Sequence, residues 1–480
     1  MPESFSAFYD FLFAKIMLKK LLVVVFVFIA LSGCRSFYQS QRDFHQFFRQ
    51  ADFEQAQSVL SQDRRAEQRR TRLLFMLNNG VVHQLMGNYQ ESNEYFERAF
   101  ITTEDFRQNP VDIAAALVAN PRLTEYRGED FELLMIHFYK AMNFIHLGDL
   151  DAALVECRRL NNRLNTIADE NKRENTYRRD AFIHNLMGII YEAAGDLNNA
   201  FIAYRNAYNI YSEDYSVLFD VEPPEQLKRD LLRSAYRLRF FDQLDFFQNK
   251  FGMQHTPQEQ DHGDVVVFLK NGLGPVKAER SINFTVVRGV GGRVDFVNEE
   301  LGLSFPFFTG DSQAATGQLG DLRVVRVAFP RFVERRPVYQ GATVKSAGVS
   351  HSMEIAQDIN GIAFQSLEDR MLRELGSALL RLAIKQTSEQ LVRRENENVG
   401  AILSILNAIT ERADTRNWQT LPHSIHYTRI SLPPGDHTLQ MDLLRPGGSA
   451  GRVVDFQTRI RANRTTFFSY HAIESNDAPL

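Results

Sequence analysis

Cysteine is almost missing: Cys34 and Cys157 are the two in 480 residues, too few for a disulfide framework. Neither sign of charge is in excess. Against 59 Asp and Glu stand 55 Lys and Arg, a formal net charge of −4. That removes the basic surplus of a nucleic-acid binder and the acidic surplus of a disordered chain. Proline at 15 and glycine at 27 are too scarce for a collagen-like or low-complexity chain. Tryptophan occurs once, at position 418. What is present is an ordinary globular mix, 44% hydrophobic and 24% charged. The length suits roughly two to four domains of about 150 residues. Phenylalanine is abundant at 38, which suits a chain with many helix and sheet interfaces to fill.

The most specific local signal is near the start. Lys15, Lys19 and Lys20 precede an apolar run from Leu21 to Leu31. Eleven residues cannot cross a hydrocarbon core that needs about 20 helical residues, so the pattern reads as a secretory signal peptide over 1–33. The run closes as Leu31-Ser32-Gly33-Cys34, which resembles a bacterial lipobox. The resemblance implies that Cys34 is lipidated and becomes the first mature residue, anchoring the chain to a membrane. Residue 35 is Arg rather than Asp, which by the same resemblance favours the outer membrane, facing the periplasm. Met17-Leu18-Lys19-Lys20 is itself a good signal-peptide start, so translation from Met17 fits as well.

Internal similarity follows over 34–252. Gly80…His83…Gly87…Tyr89, Ala141…Phe144…Gly148…Leu150 and Gly188…Tyr191…Gly195…Leu197 share one frame: a small residue, a ring three on, glycine seven on, then an apolar residue. The frame resembles the tetratricopeptide repeat. Physically, the small residue admits the neighbouring helix, and the second glycine supplies the left-handed residue that ends it. Phe96, Cys157 and Tyr204 are placed in the seam, where Cys157 is an inert buried thiol. Ala51 to Leu60 carries a weaker second-helix copy, and Leu231 to Phe247 reads as a helical cap. Spacings of 61 and 47 positions between the turn glycines exceed the usual period of about 34, so the repeats carry inserts, the first holding Pro110, Ala114 and Pro121. In this register the concave face presents Leu77, Gln84, Phe138, Met142, His146, Asn185 and Glu192, a mixed apolar and polar groove for a protein partner.

The second half reads as a mixed α/β region over 264–417 and a small antiparallel β-sandwich over 418–480. Strands are expected at Asp264–Leu269, Ser281–Val287, Leu322–Phe329, Thr343–Ala347 and Ser352–Ala356, with a glycine-containing loop region over 289–320. Phe364 to Arg394 and Val399 to Ala413 read as a helical hairpin. Ser424–Leu432, His437–Leu444, Arg452–Ile460 and Thr465–His471 complete the strands. Asn271-Gly272-Leu273-Gly274-Pro275 and Trp418-Gln419-Thr420-Leu421-Pro422…Pro433-Pro434-Gly435-Asp436-His437 are similar to a family of uncharacterised bacterial tetratricopeptide lipoproteins. That resemblance implies an α+β chain, a helical solenoid followed by the α/β part, with no established activity. Its members tend to occur beside a lipoprotein that activates peptidoglycan synthases.

Motifs for chemistry are missing. His423 and His426 fall on opposite faces of a strand, and no Cys or His cluster has zinc spacing. Arg288-Gly289-Val290-Gly291-Gly292-Arg293 lacks the Gly-Lys-Ser/Thr ending of a phosphate loop. No nucleophile elbow occurs. Arg64–Arg72 and Arg331–Arg336 read as solvated faces. The expectation is therefore a lipid-anchored envelope scaffold that grips a protein partner and is not an enzyme, with no cofactor, metal or nucleic acid. Two rivals stay open: an envelope hydrolase or glycan binder with a site in the α/β region, and a structural subunit of a secretion or motility ring.

Overall fold

The computed structural model describes residues 41–62, 70–108, 124–170, 177–257, 261–288, 293–308, 324–346, 348–395 and 413–478. The signal segment 1–33, Cys34, the insert with Pro110, Ala114 and Pro121, and the arm 399–412 lie outside the described residues. So do Arg64, Arg65, Arg69 and Gly289–Gly292.

Residues 41–257 form antiparallel helix pairs. They are α1 (Arg42–Arg49) with α2 (Phe53–Gln62), α3 (Arg72–Leu85) with α4 (Tyr89–Gln108), α5 (Asp130–Leu147) with α6 (Leu150–Glu170), and α7 (Ala181–Ala193) with α8 (Leu197–Ile210). The expected glycines do the expected work. A Cβ on Gly80 would lie 2.6 Å from the Phe96 ring, and one on Gly188 would lie 2.4 Å from Tyr204. Phe96, Cys157 and Tyr204 are fully buried in those seams. The turn residues Gly87, Gly148 and Gly195 have φ of +80°, +80° and +87°. Asp149 and Asp196 then cap the second helices, accepting from the Ala152 and Asn199 backbone N–H groups at 2.9 and 3.1 Å. Burial raises the Cys157 thiol above the range where thiols react.

One expectation changes at the end of the stack. Leu231 to Phe247 is two helices, α9 (Glu225–Arg237) and α10 (Phe241–Phe251), separated by Arg239 at φ +57°. No glycine or proline marks that break. Beyond α8 a π-helical turn, Tyr211–Tyr215, widens the helix and swings two tyrosines out of helical register. The Tyr211 hydroxyl donates to the Ala356 carbonyl at 2.6 Å, and the Tyr215 hydroxyl bonds Gln357 at 2.9 Å.

The strands build three four-stranded sheets. The first, in order β12-β1-β9-β8, contains β12 (Thr465–Ala472), β1 (Gly263–Asn271), β9 (Ser424–Leu432) and β8 (Glu354–Asp358). The second, β11-β10-β6-β7, contains β11 (Ala450–Ile460), β10 (Gly435–Leu444), β6 (Gly341–Ser346) and β7 (Val349–Ser352). The strands after Trp418 therefore do not close a sheet among themselves: β9 and β12 flank β1, and β10 pairs with β6. Nor is the sandwich wholly antiparallel, because β12 runs parallel to β1. The cause is β1, whose run Val265-Val266-Val267-Phe268-Leu269 is apolar on both faces and needs a central, doubly covered position. Val265, Val267 and Leu269 face Leu439, Met441 and Leu443 of the second sheet. Val266 and Phe268 join the core shared with the helices, where the Phe268 and Phe182 rings lie 6.4 Å apart.

The third sheet, β4-β3-β2-β5, corrects the loop expected over 289–320. Within that span β3 (Arg293–Asn298) and β4 (Leu303–Phe308) form a hairpin beside β2 (Val276–Arg288), with β5 (Val324–Val333) on its other side. Val294 and Phe296 alternate inward, and Pro306 is tolerated because β4 is an edge. Helix α11 (Ile359–Glu395), the first arm of the expected hairpin, shares a core with this sheet through Leu367, Leu375 and Leu379. Among the described residues no helix is long and apolar enough to cross a membrane.

Close approach and turn geometry are separable by mutation. Gly80→Val and Gly188→Val force an occupied seam apart and are expected to cost about 2–3 kcal/mol. Gly87→Ala meets open space but keeps the strained φ, at about 1 kcal/mol. Chemical denaturation of the three variants tests the ranking.

Candidate partner-binding face

Of the seven residues assigned to the concave groove, Gln84, His146, Asn185 and Glu192 meet side chains of the β-structured half, and six of the seven are buried. Leu77, Phe138, Met142, Asn185, Gln84 and Glu192 are at most 6% exposed, and His146 is half-buried. The face is not open. The chain's own first sheet and the segment leading into it, Ala413–His423, occupy it. Three polar anchor points hold them there.

The first anchor centres on Trp418. Its ring packs between Phe96 and Tyr139, with centroids at 5.9 and 5.5 Å. Its backbone N–H donates to Glu132 at 2.6 Å, and its indole N–H donates to the Thr420 hydroxyl at 2.8 Å. Thr420 donates in turn to Asn78 at 3.0 Å. Glu132 also accepts from the Glu129 backbone N–H at 3.0 Å and from the Tyr126 hydroxyl. Burial pushes the Glu132 carboxyl up to about 7, against the lowering effect of these donors. Next to it Glu129 takes both Lys277 of β2 and Arg370 of α11, so four elements meet at the start of α5.

At the second anchor, Lys270 of β1 inserts its amine between the repeats. It donates to Gln84 and lies 5.3 Å from the Tyr139 ring centroid. Gln84 passes the chain on to Asn143 at 2.7 Å, and Asn143 to Ser92 at 2.8 Å. His146 bonds Ser469 of β12 at 2.7 Å and stacks on Tyr89 at 4.7 Å. Burial lowers the Lys270 amine to about 7. Burial and the nearby Lys270 together lower His146 to about 4 and His471 to about 3.

The third anchor is an ion network around Glu192. It accepts from Arg233 at 2.7 and 2.9 Å, from Arg237 at 3.1 Å and from the Tyr204 hydroxyl at 2.8 Å. Arg429, from β9, reaches it at 3.1 Å and also contacts Asp264 at 2.9 Å and Asp230 at 3.3 Å. Burial would raise the Glu192 carboxyl, but the Arg233 and Arg429 guanidiniums overcome it and hold Glu192 well below the usual carboxylate range. Asp230, next in line, moves the other way: burial outweighs the same arginines and raises it. Asn185 lies fully buried beside Tyr427 of β9.

The register names residues of the helical side of this face and none of its occupants. Trp418, Lys270 and Arg429, which fill it, escaped the sequence reading. A signal existed for one of them: Lys270 directly follows the apolar run Val265–Leu269, and a cation in such a strand needs a partner from another element. His423 and His426 share no ligand: His423 bonds Glu334 at 3.1 Å, and His426 faces Ser424. Among the described residues no group of three His, Cys, Asp or Glu is placed to hold a metal.

No known family's sequence profile matches the chain, and no curated protein matches it. Solved structures resemble it in part. BtubC (BKLC) from P. vanneervenii is 15% identical over 46% of this chain and 83% of that one, with a TM-score of 0.30. The apo form of RapI is 15% identical, covering 45% and 69%, at 0.32. A putative kinesin light chain from Podosopora anserina with nearly identical TPR-like repeats is 14% identical, covering 44% and 94%, at 0.29. Likeness at this level assigns no activity. The tetratricopeptide-type geometry of 41–257 rests on the chain's own glycine contacts and turn angles.

Each anchor makes a separate forecast. Arg429→Met strands Glu192, Asp230 and Asp264 and is expected to cost about 3–5 kcal/mol in denaturant unfolding. Lys270→Met acts in the opposite direction. The folded amine titrates near 7 and the unfolded one near 10.5. Below 7 both states carry the charge and the folded state bears the full burial penalty, which fades as pH rises from 7 to 10.5. The variant should therefore melt higher than the parent near pH 6, with the difference shrinking across that window. A flat difference would show that Lys270 is not buried as a cation. Trp418, the single tryptophan, should emit in the blue and resist acrylamide quenching until global unfolding.

Proposed function

We propose that this protein is a lipid-anchored scaffold of the bacterial cell envelope, facing the periplasm, that binds protein partners through its outer surfaces. The tetratricopeptide-type stack serves as a rigid support rather than an open groove. The observation that carries this reading is the filling of the concave face by Trp418, Lys270 and Arg429 of the same chain. A protein that plugs its own groove with buried ion pairs has spent that groove on internal rigidity. The lipobox ending at Cys34 supports the anchor. The absence of a nucleophile elbow, a phosphate loop or a zinc spacing in the sequence supports a role without bond-making. Its setting beside peptidoglycan-synthesis or export machinery rests on the family resemblance alone.

Two measurements test the reading. Cys34→Ala is expected to move the chain from the membrane fraction to the soluble fraction and to remove the lipid mass. A parent that is already soluble and unmodified would refute the anchor. A photo-crosslinking residue at Phe138 should give intramolecular product only, while one at exposed Ile202 or Phe241 should capture a second protein. Intermolecular product at Phe138 would mean that the groove opens.

A further inference from the structure

One end of the molecule carries exposed side chains of which only Arg237 takes part in an anchor. Two turns are connected there through buried polar groups. The α9–α10 turn exposes Tyr236, Arg237, Arg239, Phe240 and Phe241, and the β11–β12 turn exposes Arg459, Arg461 and Arg464. A short polar relay joins them. Arg237 lies 3.1 Å from Glu192, Glu192 3.1 Å from Arg429, and Arg429 2.9 Å from Asp264. The Asp264 backbone N–H donates to the Arg464 carbonyl at 2.9 Å. Beneath this surface the Phe240 ring is fixed against Phe201 at 5.6 Å. Phe241 stays 56% exposed.

The charge at this end is unbalanced. Arg237 is taken by Glu192, and Arg459 lies 3.7 Å from Asp436. Among the described residues no carboxylate is within salt-bridge distance of Arg239, Arg461 or Arg464. Asp242, Asp261 and Asp436 are the acids of the adjoining turns, against five arginines. The eight residues of β12 run from this end, at Thr465, toward the end where Arg49 of α1 pairs with Asp477. That is a span of about 26 Å. The two turns therefore lie away from the end at which the described chain begins.

We propose that this arginine–aromatic end is a docking surface for the acidic face of a partner protein. Its make-up is that of a protein interface: arginine and aromatic residues are enriched there and lysine is depleted. Guanidinium forks match carboxylates in two-point geometry, which gives orientation as well as attraction. Phe240 and Phe241, adjoining Arg239 in the chain, supply exposed apolar area beside the charge. A bilayer would also attract the charge, but lipid insertion draws on a wide apolar face, and two phenylalanines on a turn do not provide one. The inference rests on the scaffold reading and adds to it the chemistry of the partner.

The test uses the chain from Arg35 onward, without its anchor, so that its outcome is independent of lipidation. The probes are a fluorescein-labelled peptide of alternating Glu and Tyr, the same peptide with Gln for Glu, and vesicles containing anionic phospholipid. The acidic peptide should bind at low salt and the Gln peptide should not. Binding should weaken about tenfold or more in the R239S/R461S/R464S variant, and again at about 0.5 M salt, where charges are screened within a few ångströms. The F240S/F241S variant should lose affinity at both salt levels. Circular dichroism confirms that each variant is folded, and R331S/R336S, remote from this end, serves as the control for loss of exposed arginines elsewhere. Equal binding by the triple variant and the control, no binding of the acidic peptide at low salt, or binding to vesicles alone would each overturn the proposal.

Discussion

The carboxylate of Glu192 is buried and ionised, and it keeps its charge only because guanidiniums reach it from two distant parts of the chain. Arg233 and Arg237 come from α9, two helices further along the stack, and Arg429 comes from a strand almost 200 positions further on. A buried carboxylate without such partners costs far more than any ordinary packing defect. The network therefore ties the helical half to the β half: Glu192, buried where they meet, is paired by guanidiniums from both, and removing one partner while the site stays buried leaves charge uncompensated. The Lys270 and Trp418 anchors extend the same dependence along the whole concave face. The result is one continuous core running from Phe44 to Ile473.

This dependence changes what a stack of helix pairs is for. An open solenoid offers its inner face to whatever diffuses past. Here that face is covered by the chain itself, with Phe182 against Phe268 and Tyr139 against Trp418. The stack is a platform that fixes the first sheet, the first sheet carries the second through the β1 side chains that point away from the helices, and the third sheet joins α11 at the Glu129 junction. Three sheets held at fixed positions on a helical base suit a protein that sets distances and orientations between other molecules.

How much was legible beforehand depended on how local the cause was. The repeat frame depends on contacts between a glycine and a ring sixteen positions away, Gly80 with Phe96 and Gly188 with Tyr204, so spacing alone displayed it. Strand β9 was read residue for residue as Ser424–Leu432, because its borders are set by the adjoining His423 and Pro433. Strands β3 and β4 were missed because the glycines around them read as loop, while the alternation of Val294, Phe296, Phe305 and Phe307 spans only a few residues. The break at Arg239 gave no sign at all, since an arginine in the left-handed region is paid for by tertiary contacts.

By itself the sequence determined the helix pairs, their left-handed glycine turns, the strand periods and the register that points Leu77, Phe138 and Glu192 inward. All of these follow from sterics and periodicity within a few tens of residues. Only the tertiary structure decided that the inward face is filled by Trp418, Lys270 and Arg429, that β12 runs parallel to β1, and that the arginines of two remote turns share one end. Such pairings join positions up to hundreds of residues apart. They are selected by the energy of leaving a buried charge or a doubly apolar strand uncovered, a quantity that belongs to the whole packed chain and to no single stretch of it.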